Sequence, residues 1–203
     1  MTPIDICNQA LGVIGKPPIN DFEEALAEAR AARRFYNPVR RSILQASNWT
    51  FARRRVHLAE VEPNFPERWN HTYTLPHDML VARALVHPRF DPRFNPRPIP
   101  YEIAEGRIFT NLPGAQLIYT VDKTETSAFP ALFIDALAAQ LAHRFARELT
   151  RSTRLTAEMK EDAREMLSNA IASDASQDIN RYTYDADATL DRAHGLPHPF
   201  WGY

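Results

Sequence analysis

Cysteine and glycine are scarce in this sequence. The single cysteine, Cys7, excludes a disulfide framework and any zinc site built from cysteines. Cys7 also falls on the apolar stripe of a predicted helix, which indicates a buried structural thiol and not a nucleophile. Glycine occurs six times in 203 residues, and no arrangement of the six gives a dinucleotide fingerprint or a phosphate-binding loop. We therefore expect no nucleotide-dependent enzyme of a common kind.

Long apolar runs are also missing. No segment approaches the roughly 18 apolar residues that a membrane-spanning helix needs. The residues from Met1 to Asp5 include no basic segment followed by an apolar one, so we expect no signal peptide and no membrane partner.

Lysine is rare, and the charge is unevenly distributed. All but three of the 24 basic residues are arginine, a residue suited to bidentate contact with carboxylates or phosphates. Genomic base composition explains such a bias equally well. Residues 1–100 hold 14 bases and 10 acids, whereas residues 101–203 hold 10 bases and 15 acids. This opposition of charge favours self-assembly of copies as a hypothesis.

Helical periodicity dominates both ends of the sequence. Apolar residues at helical spacing predict one helix over 3–14 and a second from a cap at Asp21 to about Asn48. Pro38 lies inside the second helix, where a kink or a restart of the helix is expected. A helix over 130–149 is apolar on most of its circumference, which predicts a central, buried position. An amphipathic helix over 155–176 follows.

The middle of the sequence alternates apolar and polar residues. Short extended segments are separated by turn residues such as Glu105-Gly106 and Pro113-Gly114, a pattern typical of an antiparallel meander. The predicted extended segments are 51–58, 69–75, 79–86, 101–103, 108–110 and 116–121.

The sequence therefore predicts an α+β fold. We expect a helical bundle of about four helices with an inserted antiparallel β module and an extended C-terminal arm. The bundle is predicted to comprise residues 1–50 and 127–180. The β-rich insertion is predicted over 51–126, with a Pro/Arg loop at 87–100, and the arm over 181–203.

The predicted arm is unusual because it is rich in aromatic residues without helical or strand periodicity. Disordered tails ordinarily lack aromatics, so we interpret this segment as an arm that docks on a partner. The alternative is a tail that packs on its own domain. The aromatic docking candidates are Tyr182, Tyr184, Phe200, Trp201 and Tyr203.

The Pro/Arg loop repeats a four-residue unit three times and carries Arg89, Arg93 and Arg97. Because its prolines favour turns or extended backbone, these arginines are candidates for contact with an acidic partner surface or with DNA phosphates. A solvated loop is the alternative. The basic run at 53–55 lies next to aromatics, as in some nucleic-acid-binding segments, but we favour an amphipathic strand paired with acidic neighbours.

No catalytic, cofactor or metal site is predicted. His194 and His198 flank a Gly-Leu-Pro segment and so cannot share a helical face as a zincin motif requires. The carboxylates of Glu161, Asp162 and Glu165 lie on the polar side of the last predicted helix, which indicates a solvated face and not an acid–base pair.

Seven segments, taken in order, resemble a known family. They are Ile4-Asp5-Ile6-Cys7-Asn8-Gln9-Ala10-Leu11, Ile14-Gly15, Ala31-Ala32, Tyr36-Asn37-Pro38-Val39-Arg40, Trp49-Thr50-Phe51-Ala52, Tyr73-Thr74-Leu75-Pro76-His77-Asp78, and Leu141-Ala142 to Leu149-Thr150. The sequence over most of residues 4–180 resembles tail tubular protein A, the head-to-tail adaptor or connector family of short-tailed bacteriophages.

The resemblance implies a structural virion protein and not an enzyme. Family members form a homo-oligomeric ring of about twelve copies, closed by head-to-tail contacts. The ring lies between the portal and the tail nozzle, and DNA passes through its lumen without sequence-specific binding. We therefore expect a protein made in the bacterial cytoplasm and located in the phage neck. The aromatic arm would bind the portal, and the Pro/Arg loop would contact the nozzle or a neighbouring subunit.

Two alternatives remain at the level of sequence. The first is a nucleic-acid-binding module that uses the Arg-rich middle segment, although the pI of about 6.7 argues against it. The second is a hydrolase with an unrecognised site, for which the sequence offers no candidate residues.

Overall fold

Within the described residues, four helices and seven strands build the fold. The computed structural model describes residues 1–61, 68–87 and 98–193, and of residues 178–193 it describes the backbone alone. The helices are α1 (Pro3–Val13), α2 (Ala27–Ala46), α3 (Ala131–Leu149) and α4 (Thr153–Ala193). The strands are β1 (Arg53–His57), β2 (Glu60–Val61), β3 (His71–Thr74), β4 (Met79–Val86), β5 (Tyr101–Ala104), β6 (Arg107–Thr110) and β7 (Gln116–Val121). The predicted α+β class, with antiparallel strands between two pairs of helices, is confirmed.

Helix α1 begins and ends where its sequence signals place it. The Thr2 hydroxyl accepts a hydrogen bond from the Asp5 amide (3.2 Å), and the Asp5 carboxylate accepts one from the Thr2 amide (2.7 Å). This capping box satisfies amides that have no partner within the helix. Gly15 follows with a φ of 68°, the left-handed conformation that terminates helices.

Helix α2 begins later than predicted. The Asp21 carboxylate accepts from the Glu23 amide at 2.9 Å, and Glu24 Oε1 accepts from the amides of Asn20 (2.8 Å) and Asp21 (3.2 Å). These acids therefore stabilise tight turns, and the helix starts only at Ala27. Helix α2 continues through Pro38 without a restart.

The strands form two antiparallel sheets and not one meander. Strand β7 lies between β1 and β4 in the first sheet, and the second has the order β2-β3-β6-β5. The hairpin between β5 and β6 turns at Glu105-Gly106, where both residues have positive φ. The predicted meander is wrong in its order because β7 pairs with strands distant in sequence, a choice that local alternation cannot encode.

Helix α3 is the centre of the helical bundle, as predicted. It packs against α1, α2 and α4, and its apolar residues Leu137, Leu141 and Phe145 are fully buried. One continuous apolar core extends from these side chains to β-sheet residues such as Leu117 and Tyr119. Packing of the two sheets on the bundle is therefore part of the same core.

Helix α4 extends well beyond its predicted end. The backbone stays helical to Ala193, so the prediction of an extended arm is wrong for residues 181–193. The physical reason is visible in the sequence: no glycine or proline occurs between Arg151 and His194. Nothing in that stretch forces the helix to stop before Gly195 and Pro197.

Candidate partner-binding surfaces

The predicted Pro/Arg contact residues lie outside the described part of the chain. Arg89, Arg93 and Arg97 fall within 88–97, which is not described. The attachment points of that loop are described, at His87 after β4 and at Pro98 before β5. The loop therefore connects the two sheets, and it leaves β4 at Val86, the end that pairs with the start of β7.

The predicted aromatic docking residues are not described either. Phe200, Trp201 and Tyr203 lie beyond the described chain, and Tyr182 and Tyr184 lie on the helical backbone of α4 with side chains that are not described.

Asp174 attaches helix α4 to the rest of the fold before this C-terminal segment begins. The Asp174 side chain is nearly buried and accepts three hydrogen bonds from Thr50, two from the amide (3.0 and 3.2 Å) and one from the hydroxyl (2.7 Å). Thr50 opens the short 3₁₀ helix Thr50–Ala52, so the carboxylate caps its amide end. Asp174 thereby holds α4 against the point where the chain enters the β-sheets.

An aromatic cluster surrounds the two places where the chain passes between helices and sheets. Trp49 and Phe51 lie at the entry, and Phe129 and Phe133 lie at the return. The ring centroids of Trp49 and Phe133 are 5.1 Å apart, and those of Phe51 and Phe133 are 4.8 Å apart, in edge-to-face geometry. The Trp49 indole also donates to the Ile43 carbonyl at 2.8 Å. The entry of the chain into the sheets and its return to the helices therefore pack against each other, and we call this aromatic cluster the joint.

Two arginines form ion-pair and hydrogen-bond contacts between α2 and the strands near this joint. Arg40 of α2, only 2% exposed, binds the Asp122 carboxylate at 2.8 Å and donates to the Lys123 carbonyl. Arg83 of β4 donates to the carbonyls of Leu44 (3.2 Å) and two neighbouring residues at the C-terminal end of α2. These last-turn carbonyls have no partner within the helix, and burial lowers the pKa of Arg83.

The basic run at 53–55 is a strand, as we favoured, with partners along its length. Arg54 forms an ion pair with Asp78, whose other oxygen accepts a hydrogen bond from the Tyr119 hydroxyl at 2.9 Å. Arg55 donates to the Gln116 side chain at 2.6 Å. Arg54 and Arg55 therefore contribute to cohesion of the sheet.

A cationic pocket lies where α3 ends and α4 begins. This recess of about 440 Å³ is lined by His143, Arg147, Arg151 and Lys160 together with small polar residues. Its arginines and lysine are exposed. Burial lowers the pKa of His143, and the neighbouring positive charges of Arg144, Lys160 and Arg147 lower it further, against a hydrogen bond to the Thr156 carbonyl. The pocket therefore carries a positive potential.

Sequence reasoning missed this pocket. The signal was present, because His143, Arg147 and Arg151 are spaced four residues apart and so follow one face of a helix and its extension. Lys160 joins them only through the packing of α4 on α3, which the sequence does not specify locally.

The predicted solvated face of α4 is confirmed. Glu158, Glu161, Asp162 and Glu165 are exposed on the outer side of the helix. Glu158 pairs with Arg154 and Glu161 with Arg164, each at 2.8 Å. We call the exposed carboxylates of Glu161, Asp162 and Glu165 the acidic strip.

A second recess, about 420 Å³, runs between α2, α3 and α4. Phe35, Val39 and Leu167 form its apolar part, and Arg34 and Arg144 stand at its rim. The guanidinium of Arg34 lies over the Phe35 ring at 5.6 Å and 3.6 Å from the Glu148 carboxylate. These contacts partly cover the apolar surface.

Cys7 has the predicted structural character. It is fully buried in the bundle, and burial raises the pKa of its thiol to about 12. A thiol with this pKa carries no appreciable thiolate near neutral pH.

No protein-family model matches the chain, and no curated protein matches it. Among the described residues, no helix has the length and apolarity to cross a membrane.

Proposed function

We propose that this protein is a non-enzymatic head-to-tail adaptor of a short-tailed bacteriophage. About twelve copies would form a ring between the portal and the tail nozzle, with DNA passing through the lumen without sequence-specific contacts. The protein would be made in the bacterial cytoplasm and reside in the neck of the virion.

One observation carries this proposal: residues that create the resemblance also make the tertiary contacts that define the fold. The Asn8 side chain bonds both the amide and the carbonyl of Ile19, each at 2.9 Å, and so ties α1 to the following loop. Trp49 lies at the joint between helices and sheets, and Asp78 lies between Arg54 and Tyr119. These contacts support the proposal because they give residues of the resemblance a structural role.

Arg40 and Tyr73 extend this argument. Arg40 joins α2 to the end of β7. The Tyr73 hydroxyl donates to the Leu112 carbonyl at 2.8 Å and accepts from the Ala115 amide at 3.4 Å. Both residues come from segments of the resemblance, and both connect parts of the chain that are distant in sequence. The resemblance therefore includes residues whose side chains connect separate elements of the fold.

Two segments are proposed to contact partners. The aromatic residues Tyr182, Tyr184, Phe200, Trp201 and Tyr203 would bind the portal, since aromatic anchors dominate many interfaces. Arg89, Arg93 and Arg97 would contact the nozzle or a neighbouring subunit. Asp174 supports the first role because it fixes α4 to the body shortly before the aromatic segment begins.

Portal binding by the C-terminal segment can be tested by truncation. The full chain and a variant lacking residues 180–203 would each be mixed with the portal protein encoded in the same genome, and the mass of each mixture measured by light scattering. The full chain should give a stoichiometric complex, and the truncated chain should stay unbound. A control variant, Trp69→Ala, changes an aromatic residue just before β3 and should bind as the full chain does. Equal binding by the truncated chain contradicts the role of the segment.

A nucleic-acid-binding module is the second candidate, and the cationic pocket favours it because arginine and lysine can neutralise phosphates. This function predicts duplex binding that weakens steeply with salt. The charge-reversed variant R147E/R151E should then lose binding, while Arg30→Glu, on an exposed part of α2, should retain it. No salt-dependent duplex binding by the full chain excludes this candidate.

A further inference from the structure

The cationic pocket gathers exposed charges of one sign. Arg147, Arg151 and Lys160 are exposed, and among the described residues no carboxylate forms an ion pair with any of them. Surface charges of one sign gathered in a recess attract a partner of opposite sign. The lining arginines are suited to carboxylates, which they bind in a planar, bidentate geometry. The pocket therefore has the chemistry of a receptor for acidic side chains.

The same helix carries matching acids on another side. Lys160 lies in the pocket, and Asp162 and Glu165 belong to the acidic strip. At 3.6 residues per turn, Glu161 points about 100° away from Lys160 around the helix axis, Glu165 about 140° and Asp162 about 160°. Asp162 and Glu165 therefore point away from Lys160 and from the pocket of their own chain. Each copy presents an acidic side and a basic side at nearly the same level.

We propose that the acidic strip of one copy binds in the cationic pocket of the next copy. This inference rests on the proposed ring, because a contact between two different sides of identical subunits is the heterologous type that closes rings. We assign the pocket to a second copy because the chain itself carries exposed carboxylates, on α4, that complement the charge of the pocket. Each copy also supplies three bases in the pocket and three carboxylates in the acidic strip.

Charge reversal on both sides gives a test with an internal rescue. Variant R147E/R151E makes both sides acidic, and variant D162R/E165R makes both sides basic. Each alone should associate about tenfold more weakly than the unmodified chain in sedimentation at low salt. An equimolar mixture should recover association, because each native side again meets its complement and each reversed side meets the other. Arg30→Glu is the control and should not weaken association. Unfolding curves of all variants establish that each is folded.

Cysteine cross-linking separates this inference from the proposed function. Variant R151C/D162C places one thiol in the pocket and one on the strip, and Cys7 does not interfere because it is buried. Under oxidation, alone or with the portal protein, the variant should form a ladder of covalent multimers, while R151C and D162C separately should not. Portal binding without a ladder overturns the contact and leaves the adaptor role intact. A ladder without portal binding supports the contact and contradicts the adaptor role. Duplex DNA binding abolished by R147E/R151E, with no rescue of association in the mixture, assigns the pocket to DNA and overturns the inference.

Discussion

Different interactions stabilise the helical bundle and the β-sheets. Helix α3 is surrounded by other helices, and side chains such as Leu137 and Leu141 are fully buried there. In the sheets, β7 is mostly buried, whereas β1 and β5 have exposed positions and polar ties. The comparison teaches that the bundle is stabilised mainly by apolar burial around α3, while the sheets share that core and depend in addition on polar contacts near the joint.

The aromatic joint should give the largest effect of any single change. Phe133→Ala removes a fully buried ring that contacts Trp49, Phe51 and Phe129, so we expect a loss of about 3–5 kcal/mol in the free energy of unfolding. Denaturant unfolding followed by circular dichroism measures it. The adjacent Leu132 is 43% exposed, and Leu132→Ala should cost much less. Similar losses for the two variants would contradict a joint centred on these rings.

Disruption of the Arg40–Asp122 ion pair should give the second-largest loss in the free energy of unfolding. Arg40→Met leaves the Asp122 carboxylate without its buried partner, and we expect a loss of about 3 kcal/mol. Arg41, which lies 3.4 Å from the other carboxylate oxygen, is exposed, and Arg41→Met should cost under about 1 kcal/mol. A double-mutant cycle with Asp122→Asn measures the coupling. Strict additivity of Arg40→Met and Asp122→Asn would mean that the pair does not connect α2 to β7.

Removal of the Asp174 cap should have a smaller, local effect. Asp174→Ala deletes three hydrogen bonds to Thr50, and we expect a loss of about 1–2 kcal/mol. Amide hydrogen exchange should accelerate at Thr50 and in α4, because this contact fixes the helix to the joint. Asn169→Ala, at an exposed position on the same helix and outside the acidic strip, is the control and should leave both measurements unchanged. Unaltered exchange in the Asp174 variant would show that α4 is held by other contacts.

The smallest effect concerns pH. The folded-state pKa of His143 is lowered from 6.5, first by burial and then by Arg144, Lys160 and Arg147, against the Thr156 carbonyl. The unfolded state therefore binds more protons, so this stability is present above pH 6.5 and is lost as the pH falls through the folded-state pKa. Melting temperatures measured between pH 7 and pH 5 should decline less for His143→Gln than for the unmodified chain. Identical pH profiles would contradict the role of His143.

Local sequence signals predicted most helices and strands. Pro3 and Gly15 bound α1, and the apolar circumference of residues 130–149 predicted the central helix. The start of α2 was wrong because Asp21 caps a turn, and the end of α4 was wrong because loss of amphipathic periodicity does not by itself end a helix. A sequence without glycine or proline can remain helical wherever no competing structure forms.

Local sequence signals could not predict contacts between residues that are distant in sequence. Thr50 and Asp174 are 124 positions apart, and the order of strands around β7 depends on which distant segment packs against it. The cationic pocket likewise needs α3 and α4 in contact before Lys160 can join Arg147. The predicted contact residues, in 88–97 and near the C-terminus, stay predictions because their side chains lie outside the described part of the chain.

The central claim is that this protein joins two assemblies, and co-sedimentation tests it most directly. Portal and nozzle proteins encoded in the same genome would be sedimented together with and without this chain. The adaptor account predicts that portal and nozzle migrate separately when the chain is absent and as one ternary complex when it is present. Direct binding of portal to nozzle without the chain, or failure of the chain to bring them into one complex, would contradict the account.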